Sequence, residues 1–350
     1  MKPQPHSSST TEQTLRDRFS RPIHDLRISV IDRCNFRCTY CMPQEESGHY
    51  KFLDPGNWLS FEEIERLVRL FVACGVSKVR LTGGEPLVRP NLAQLVSRLC
   101  PIKGIDDLAL TTNGSLLSRH ADELKKAGLK RLTVSLDTLD PLVFKEMGGK
   151  KADLAEVMEG LAAAEKAGFE KIKINVVVKK GVKDHTLMNL VRHFKGSGHI
   201  LRFIEFMDVG NCNHWSTEYV LPSAQIMKMI NEYYPLEPVK ANYEGEVANR
   251  YRYVDGGGEI GFISSVTQPF CGNCSRLRLS TDGKIYTCLC ATEGTDLRGP
   301  MRAGANDQDL RGIIENTWKR RDDRYSENRI LIKSHPENER KKIEMFQIGG

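Results

Sequence analysis

The chain has 350 residues, 40% of them hydrophobic, and a formal net charge of +6 with positive and negative side chains interleaved. That is enough apolar material for one large core or two smaller ones, and no apolar stretch nears the ~20 residues that span a bilayer, nor does a signal-peptide core follow Met1, so a cytoplasmic, non-membrane protein is expected. The charge is too small and too mixed to indicate nucleic acid but suits an anionic small molecule met by local arginines, and the ten cysteines read as thiols of a reducing compartment, the clustered ones as metal ligands.

Residues 1–22 are rich in Ser, Thr, Gln and Pro and lack periodicity, which predicts a disordered tail. Arg16, Arg18 and Arg21 would suit a transit peptide, against which Glu12 and Asp17 stand. Residues 26–30 alternate as a strand. The segment 32–43 then carries Cys34, Cys38 and Cys41 in the spacing C-x3-C-x2-C. Three thiolates on one short loop can hold a 4Fe-4S cluster and leave one iron open to a small molecule; the plain alternative is a zinc knuckle or a group of buried thiols. Residues 60–73 read as an amphipathic helix, with a capping box from Ser60 and Glu63, an apolar face of Ile64, Leu67, Val68 and Phe71, and Gly75 as its stop. Strands are predicted over 78–82, 107–111, 131–135, 171–178 and 201–206. Helices are predicted between them over 91–99 and 116–127 and near 152–167 and 184–195. Strands alternating with crossover helices imply a parallel sheet, most simply an incomplete (β/α)6 TIM-type barrel over residues 23–220, with its chemistry at the C-terminal strand ends. After about residue 220 the rhythm breaks. A glycine-rich turn at 255–261, short strand-like pieces and more cysteines mark 221–350 as an appended α+β region expected to close one barrel mouth.

Several further motifs fall at strand ends. Gly83-Gly84-Glu85 follows the second strand; paired glycines allow close backbone approach to a ligand, and Glu85 offers a negative partner to an ammonium group, unless the stretch is an ordinary turn. Thr111-Thr112-Asn113-Gly114 and Ser135-Leu136-Asp137 end the next two strands, where they either contact a ligand or cap the following helices. Cys271, Cys274 and Cys288 repeat the three-thiolate theme as C-x2-C-x13-C, and Cys290 lies just beyond; four cysteines would close a tetrahedral zinc site. Between them Arg276 and Arg278 share one face of a strand, which suits bidentate bonding to a phosphate chain. The last residues, Gly349-Gly350, are thin enough to enter a crowded pocket or are a frayed end. Cys74 and Cys100 read as small buried side chains, and Cys212 has no assigned role.

The cysteine loop resembles that of the radical S-adenosylmethionine (SAM) superfamily, which uses this spacing with an aromatic residue before the third cysteine. From about residue 20 to Gly350 the motifs together resemble the molybdenum cofactor biosynthesis protein A (MoaA) family, the GTP 3′,8-cyclases. The resemblance implies that Cys34, Cys38 and Cys41 hold a 4Fe-4S cluster that binds SAM, with Tyr40, Gly84, Glu85, Ser135 and Met207 at SAM-contacting positions. It implies a second 4Fe-4S cluster on Cys271, Cys274 and Cys288, with its open iron facing the GTP base. Arg27, Arg80, Thr111, Lys173, Arg276 and Arg278 match GTP-contacting positions, and Gly349, Gly350 and Arg27 match positions needed for catalysis. The implied reaction is SAM cleavage to a 5′-deoxyadenosyl radical, hydrogen abstraction from C3′ of GTP and attack on C8. The product, (8S)-3′,8-cyclo-7,8-dihydroguanosine 5′-triphosphate, is made in the first step of molybdenum cofactor biosynthesis. A reductant of flavodoxin or ferredoxin type and a downstream cyclic pyranopterin monophosphate synthase are the implied partners, and the chain would act as a monomer or homodimer. Cys290 departs from the family pattern, and whether it ligates the second cluster stays open. The alternatives are a radical SAM enzyme that modifies a peptide, for which paired arginines and a terminal Gly-Gly have no purpose, and a non-catalytic zinc or cluster scaffold.

Overall fold

The computed structural model describes residues 14–44, 50–182, 184–333 and 341–350. In chain order it contains β1 (Asp25–Ser29), α1 (Phe61–Ala73), β2 (Lys78–Thr82), α2 (Leu92–Leu99), β3 (Asp107–Thr112), α3 (Leu117–Lys126), β4 (Arg131–Ser135), α4 (Pro141–Gly148), α5 (Leu154–Lys166), β5 (Lys173–Val178), α6 (Leu187–Phe194) and β6 (Ile200–Glu205). There follow α7 (Ser223–Tyr233), β7 (Leu236–Val239), β8 (Asn249–Tyr253), β9 (Glu259–Ile263), β10 (Arg276–Leu279), β11 (Lys284–Tyr286), β12 (Thr295–Asp296), α8 (Arg298–Arg302), α9 (Asp307–Lys319), α10 (Tyr325–Lys333) and α11 (Met345–Ile348). The elements predicted up to residue 206 are all present, with ends shifted by three residues or fewer. The capping box is formed: Glu63 N donates to Ser60 Oγ at 3.1 Å and Ser60 N donates to Glu63 Oε2 at 2.7 Å. Helix α4 was not predicted, although Asp140 at its N-cap accepts from Leu142 N and Val143 N and Pro141 opens its first turn, a readable start signal.

The fold is mixed α/β around a largely parallel sheet. Strands β1 to β6 are parallel and adjacent in sequence order. The region beyond residue 220 was expected across one mouth. Instead its strands lengthen the same sheet at both edges: β10 pairs parallel with β1 on one side and β9 parallel with β6 on the other. Antiparallel β11–β12 and β8–β7 complete a sheet of 12 strands. The glycine-rich turn is shorter than expected, since Gly261 already lies inside β9.

Parallel strands covered on both faces usually read as continuous apolar runs. These alternate. Leu26, Ile28, Val79, Leu81, Leu108, Leu110, Leu132, Val134, Ile174, Val176, Leu201 and Phe203 are buried in the main core together with Ile64, Leu67, Val68 and Phe71 of α1 and Leu117, Leu124, Val157 and Leu161 of α3 and α5. The other face carries charged and polar side chains, and that face positions the site.

Residues 14–22 do not form the tail predicted for 1–22; residues 1–13 lie outside the described residues. Asp17 and Arg21 are buried, Arg21 Nε donates to Asp17 Oδ2 at 2.6 Å, and Arg321 reaches the same oxygen at 3.2 Å. Arg21 also donates to the carbonyl of Cys271 at 2.7 Å. A buried carboxylate shared by two guanidinium groups pins this segment, a pairing that short-range composition does not reveal. Among the described residues no helix is long and apolar enough to cross a membrane.

Candidate active site

Strand register places three guanidinium groups abreast: Arg27 of β1 stands opposite Arg80 of β2 and Arg278 of β10. One step back along the strands, Asp25 stands opposite Lys78 and Arg276. Adjacent strands are ~4.8 Å apart, so the arginines repel one another in a partly enclosed space. Burial, then Arg278, Arg80 and Arg276, pull the Arg27 guanidinium well below its ordinary range. Burial and Arg276 bring Arg278 down to about 10. Asp25 bonds His24 and Ser275, both at 3.0 Å, and pairs with Lys78 at 3.5 Å, and it offsets the charge of Arg27, Arg80 and Arg276 only in part.

The cationic face continues across the sheet. Arg80 donates to Thr111 Oγ1 at 3.3 Å. Thr111 is opposite Thr133 on β4, and Thr133 is opposite Lys173 on β5. Burial, then Arg202, Arg131 and Arg80, lower the Lys173 ammonium to about 7. Arg202 of β6 donates to Asn175 Oδ1 at 2.7 Å and is brought down to about 9 by burial, Arg80 and Arg131. Its Nε is buried with no hydrogen-bond partner. Arg27, Arg80, Thr111, Lys173, Arg276 and Arg278 thus share one face of the sheet. Lys78 and Arg202 belong with them and were not predicted. The signal for Lys78 was its two-residue spacing from Arg80, the same alternation already used for Arg276 and Arg278.

The first cysteine loop lies at the C-terminal ends of β1 and β2. Gly84 N donates to Ile31 O at 2.8 Å and Glu85 N to Arg33 O at 2.9 Å. A Cβ on Gly83 would collide with Ile31 O and one on Gly84 with Arg33 O; the paired glycines therefore let two backbone segments touch, fixing the loop that presents Cys34, Cys38 and Cys41. Glu85 is 1% exposed and its oxygens accept from Leu87 N, Asn113 N and Thr112 Oγ1 at 3.0, 2.7 and 2.7 Å. Burial outweighs these bonds and raises its carboxyl to about 7. Thr112 and Asn113 are occupied in closing this turn, and neither caps α3. Tyr40 donates to Asp137 Oδ2 at 2.7 Å, and Asp137 Oδ1 accepts from Val177 N at 2.8 Å, tying the cysteine loop to the end of β4 beside Ser135. Met207 follows the end of β6, and its carbonyl accepts from Asn213 at 2.9 Å.

The second cysteine group gathers Cys271 and Cys274, on the turn before β10, with Cys288, after β11. All ten cysteines are free thiols. Both groups offer sulfur acceptors to nearby donors: Phe36 N to Cys34 at 3.4 Å, Cys290 N to Cys288 at 3.4 Å, and Arg276 Nε to Cys274 at 3.3 Å. Burial pushes the Cys274 thiol up, but Arg276 and Arg321 outweigh it and bring it down to about 6. Hydrogen bonding between Cys288 and Cys290 lowers Cys288 and raises Cys290. Among the described residues no three His, Cys, Asp or Glu side chains, in either cysteine group, close on a point as for a single metal ion. Reduced thiols in sets of three, bonded by N–H donors, fit an iron-sulfur cluster.

The last residues pack against the arginine face of the sheet. Arg278 donates to the carbonyl of Gly349 and, at 3.4 Å, to that of Ile348. Gly349 has φ of 73°, and a Cβ there would collide with the side chain of Thr82. Phe346 and Ile348 are buried, and Phe346 meets Tyr50 and Phe52 edge-on. The segment is docked rather than frayed. Cys74 is buried and Cys100 half-buried, its thiol directed at Gly128 O at 3.6 Å, while Cys212 directs its thiol at Glu344.

Residues 28–194 match the Radical SAM superfamily and residues 199–327 match Molybdenum Cofactor Synthesis C. The chain is 52% identical over 336 residues to a GTP 3′,8-cyclase of Xanthomonas campestris pv. campestris (strain B100), covering 96% of this chain and 97% of that one. It is 47% identical over 362 residues to a GTP 3′,8-cyclase of Acidothermus cellulolyticus, covering 97% and 99%, and 44% identical over 341 residues to one of Staphylococcus epidermidis, covering 97% and 100%. Among solved structures, Streptococcus suis SuiB bound to S-adenosylmethionine matches with a TM-score of 0.52 at 15% identity, over 85% of this chain and 70% of that one, a likeness of fold.

Proposed function

This chain belongs to the GTP 3′,8-cyclase family of the radical SAM superfamily, and from that premise we propose that its two cysteine groups, its cationic face and its Gly-Gly segment form one reaction chamber. The activity is cyclisation of GTP in the first step of molybdenum cofactor biosynthesis. The observation that carries the residue assignment is the row Arg278–Arg27–Arg80, three cations abreast with Asp25 the carboxylate that partly offsets Arg27 and Arg80. A triphosphate supplies the missing charge and accepts bidentate bonds from each guanidinium.

In this reading the parallel strands form an incomplete β/α barrel, and the strands beyond residue 220 complete its wall. Cys34, Cys38 and Cys41 hold the cluster that binds SAM; Cys271, Cys274 and Cys288 hold a second. When bound, the first cluster and SAM supply a 5′-deoxyadenosyl radical. Tyr40, Gly84, Ser135 and Met207, at the ends of β2, β4 and β6 and on the loop between, form the wall against which SAM lies. Glu85 Oε1 takes two hydrogen bonds and Oε2 one from the β2 and β3 turns, so Glu85 shapes that wall and keeps an acceptor site on Oε2 for a ligand ammonium. Arg27, Arg80, Thr111, Lys173, Arg276 and Arg278 hold GTP and fix its sugar relative to SAM, a positioning that an indiscriminate carbon radical requires. Gly349, thin enough to lie against Thr82, closes the chamber to water while Arg278 holds its carbonyl. Arg27, central in the row, is the side chain best placed to follow charge changes in the substrate. A cytoplasmic setting, a flavodoxin- or ferredoxin-type reductant and a downstream synthase complete the proposal.

The test is anaerobic incubation of reconstituted protein with SAM, GTP and a reductant. The expected result is about eight irons per chain and formation of 5′-deoxyadenosine together with GTP consumption. Arg278→Ala should weaken GTP binding about 100-fold, the loss of a charge-assisted pair. About four irons, or unchanged GTP affinity in that variant, would overturn the assignment.

A further inference from the structure

The Gly-Gly segment is held from behind by a buried ionic cluster that has no place in the reading so far. Asp208, 2% exposed, directly follows Met207. Its Oδ1 accepts from Arg329 Nε at 2.8 Å, and its Oδ2 accepts from Lys342 Nζ at 3.1 Å and from the Tyr325 hydroxyl. Lys342 Nζ also donates to the Asp208 carbonyl at 2.8 Å. Arg329 and Lys342 are themselves 4% and 6% exposed. One carboxylate thus compensates two buried cations, and removing it would leave both unpaired.

The connections run in three directions. Toward the chain end, Lys342 N donates to Asn211 Oδ1 at 3.0 Å, Asn211 Nδ2 donates to Glu344 Oε1 at 2.7 Å, and Ile343 N donates to Ala291 O at 3.0 Å, just past Cys290. Toward the second cysteine group, Arg329 and Tyr325 lie on α10, whose Glu327 accepts from Gly272 N at 3.1 Å. Toward the SAM wall, Asp208 is next to Met207 in the chain. Four residues after Glu344, the segment reaches Ile348 and the Arg278 contact.

We propose that Asp208 is a positioning residue that seats the Gly-Gly segment: by holding Lys342 it fixes where residues 343–350 enter the chamber, and by holding Arg329 and Tyr325 it ties that entry to the second cysteine loop. The seat itself is a property of this structure; its consequence for cyclisation rests on the function proposed above.

The experiment is hydrogen exchange of the cluster-loaded protein, without SAM or GTP, in Asp208→Asn, Lys342→Met and the double variant. In each single variant, peptides covering 343–350 should exchange on the order of 100-fold faster, as expected for a broken buried pair, while peptides of β1–β4 keep their protection. The double variant should exchange no faster than Asp208→Asn alone, because the Lys342 link is already broken there. In turnover, Lys342→Met should keep 5′-deoxyadenosine formation and lose about tenfold in cyclised product per 5′-deoxyadenosine. Unchanged exchange of 343–350 in Lys342→Met overturns the proposal, and so does a double variant whose effect is the sum of the two. The exchange readout needs no substrate, so its failure is distinct from a failure of the cyclase assignment, which the GTP assay reads by itself.

Discussion

The two cysteine groups carry the same three thiols, but Cys34 and Cys41 of the first and Cys274 of the second sit in opposite electrical surroundings. Around the first, burial and the nearby Glu85 carboxylate push the Cys34 thiol up to about 12, and burial, Cys34 and Glu344 raise Cys41 as well. Around the second, Arg276 and Arg321 draw Cys274 down to about 6 despite its burial. The first group is contiguous in sequence and wedged between backbones at Gly83 and Gly84. The second is assembled from distant turns and leans on buried guanidinium groups. Identical ligands in one chamber can therefore serve different ends: one end is crowded and acid-lined, the other cationic and suited to a polyanion.

The widest separation should appear on deleting one thiol from each group. Cys34→Ser should abolish 5′-deoxyadenosine formation, by about 1000-fold or more, whereas Cys274→Ser should retain SAM cleavage and lose cyclisation; chromatography of anaerobic reactions reads both. Equal loss of SAM cleavage in the two variants would erase the distinction. Next in size is the contrast in crowding. Gly84→Ala drives a Cβ into Arg33 O, whereas a Cβ on Gly272 meets nothing nearer than 3.9 Å. Gly84→Ala should cost about 3 kcal/mol or more and Gly272→Ala under about 1 kcal/mol, measured by denaturant unfolding.

The cationic end should also respond to pH. Lys173 in the free protein titrates near 7 because burial and neighbouring cations disfavour its charge. A bound triphosphate favours the charged form, so binding takes up a proton and the pKa rises in the complex. GTP affinity should be at its fullest below pH 7 and fall as pH rises through the window between the free and bound values, by up to about tenfold per unit. Calorimetry in buffers of different ionisation enthalpy measures the proton uptake, and Lys173→Arg should flatten the profile. The smallest effect concerns the metal-free protein at pH 7. Cys274 should react with iodoacetamide about threefold faster than free cysteine, since its larger thiolate fraction is partly offset by lower nucleophilicity, while Cys34 stays unlabelled; peptide mass spectrometry reads the sites.

Much of this site was legible from local pattern. The C-x3-C-x2-C loop, the Gly-Gly-Glu turn and the alternation of Arg276 with Arg278 each state their geometry within a few residues. What sequence could not give was register. That Arg278 stands beside Arg27 depends on β10 crossing to pair with β1, and no local signal encodes a partner about 250 residues away. The same limit explains the folded segment 14–22, where Asp17 finds Arg321, and the displacement of the late strands from one mouth to both sheet edges. Glu85 shows a different limit: residue type suggested a ligand to an ammonium group, and its burial and three internal hydrogen bonds, which sequence did not show, also give it a part in the turn. Helix α4 was readable from Asp140-Pro141 and was missed because its apolar face is short.

Strand β1 has one neighbour made early and one made late. During synthesis β2 is available soon after β1, but the other edge of β1 stays unpaired until β10 leaves the ribosome, more than two-thirds of the way through translation. An interior strand with one open edge is prone to wrong pairing and to aggregation while it waits. The first cysteine loop takes its hydrogen bonds from segments that end by Val177, whereas the second requires nearly the whole polypeptide. The N-terminal loop can thus be complete while the second group still lacks the strands that assemble it.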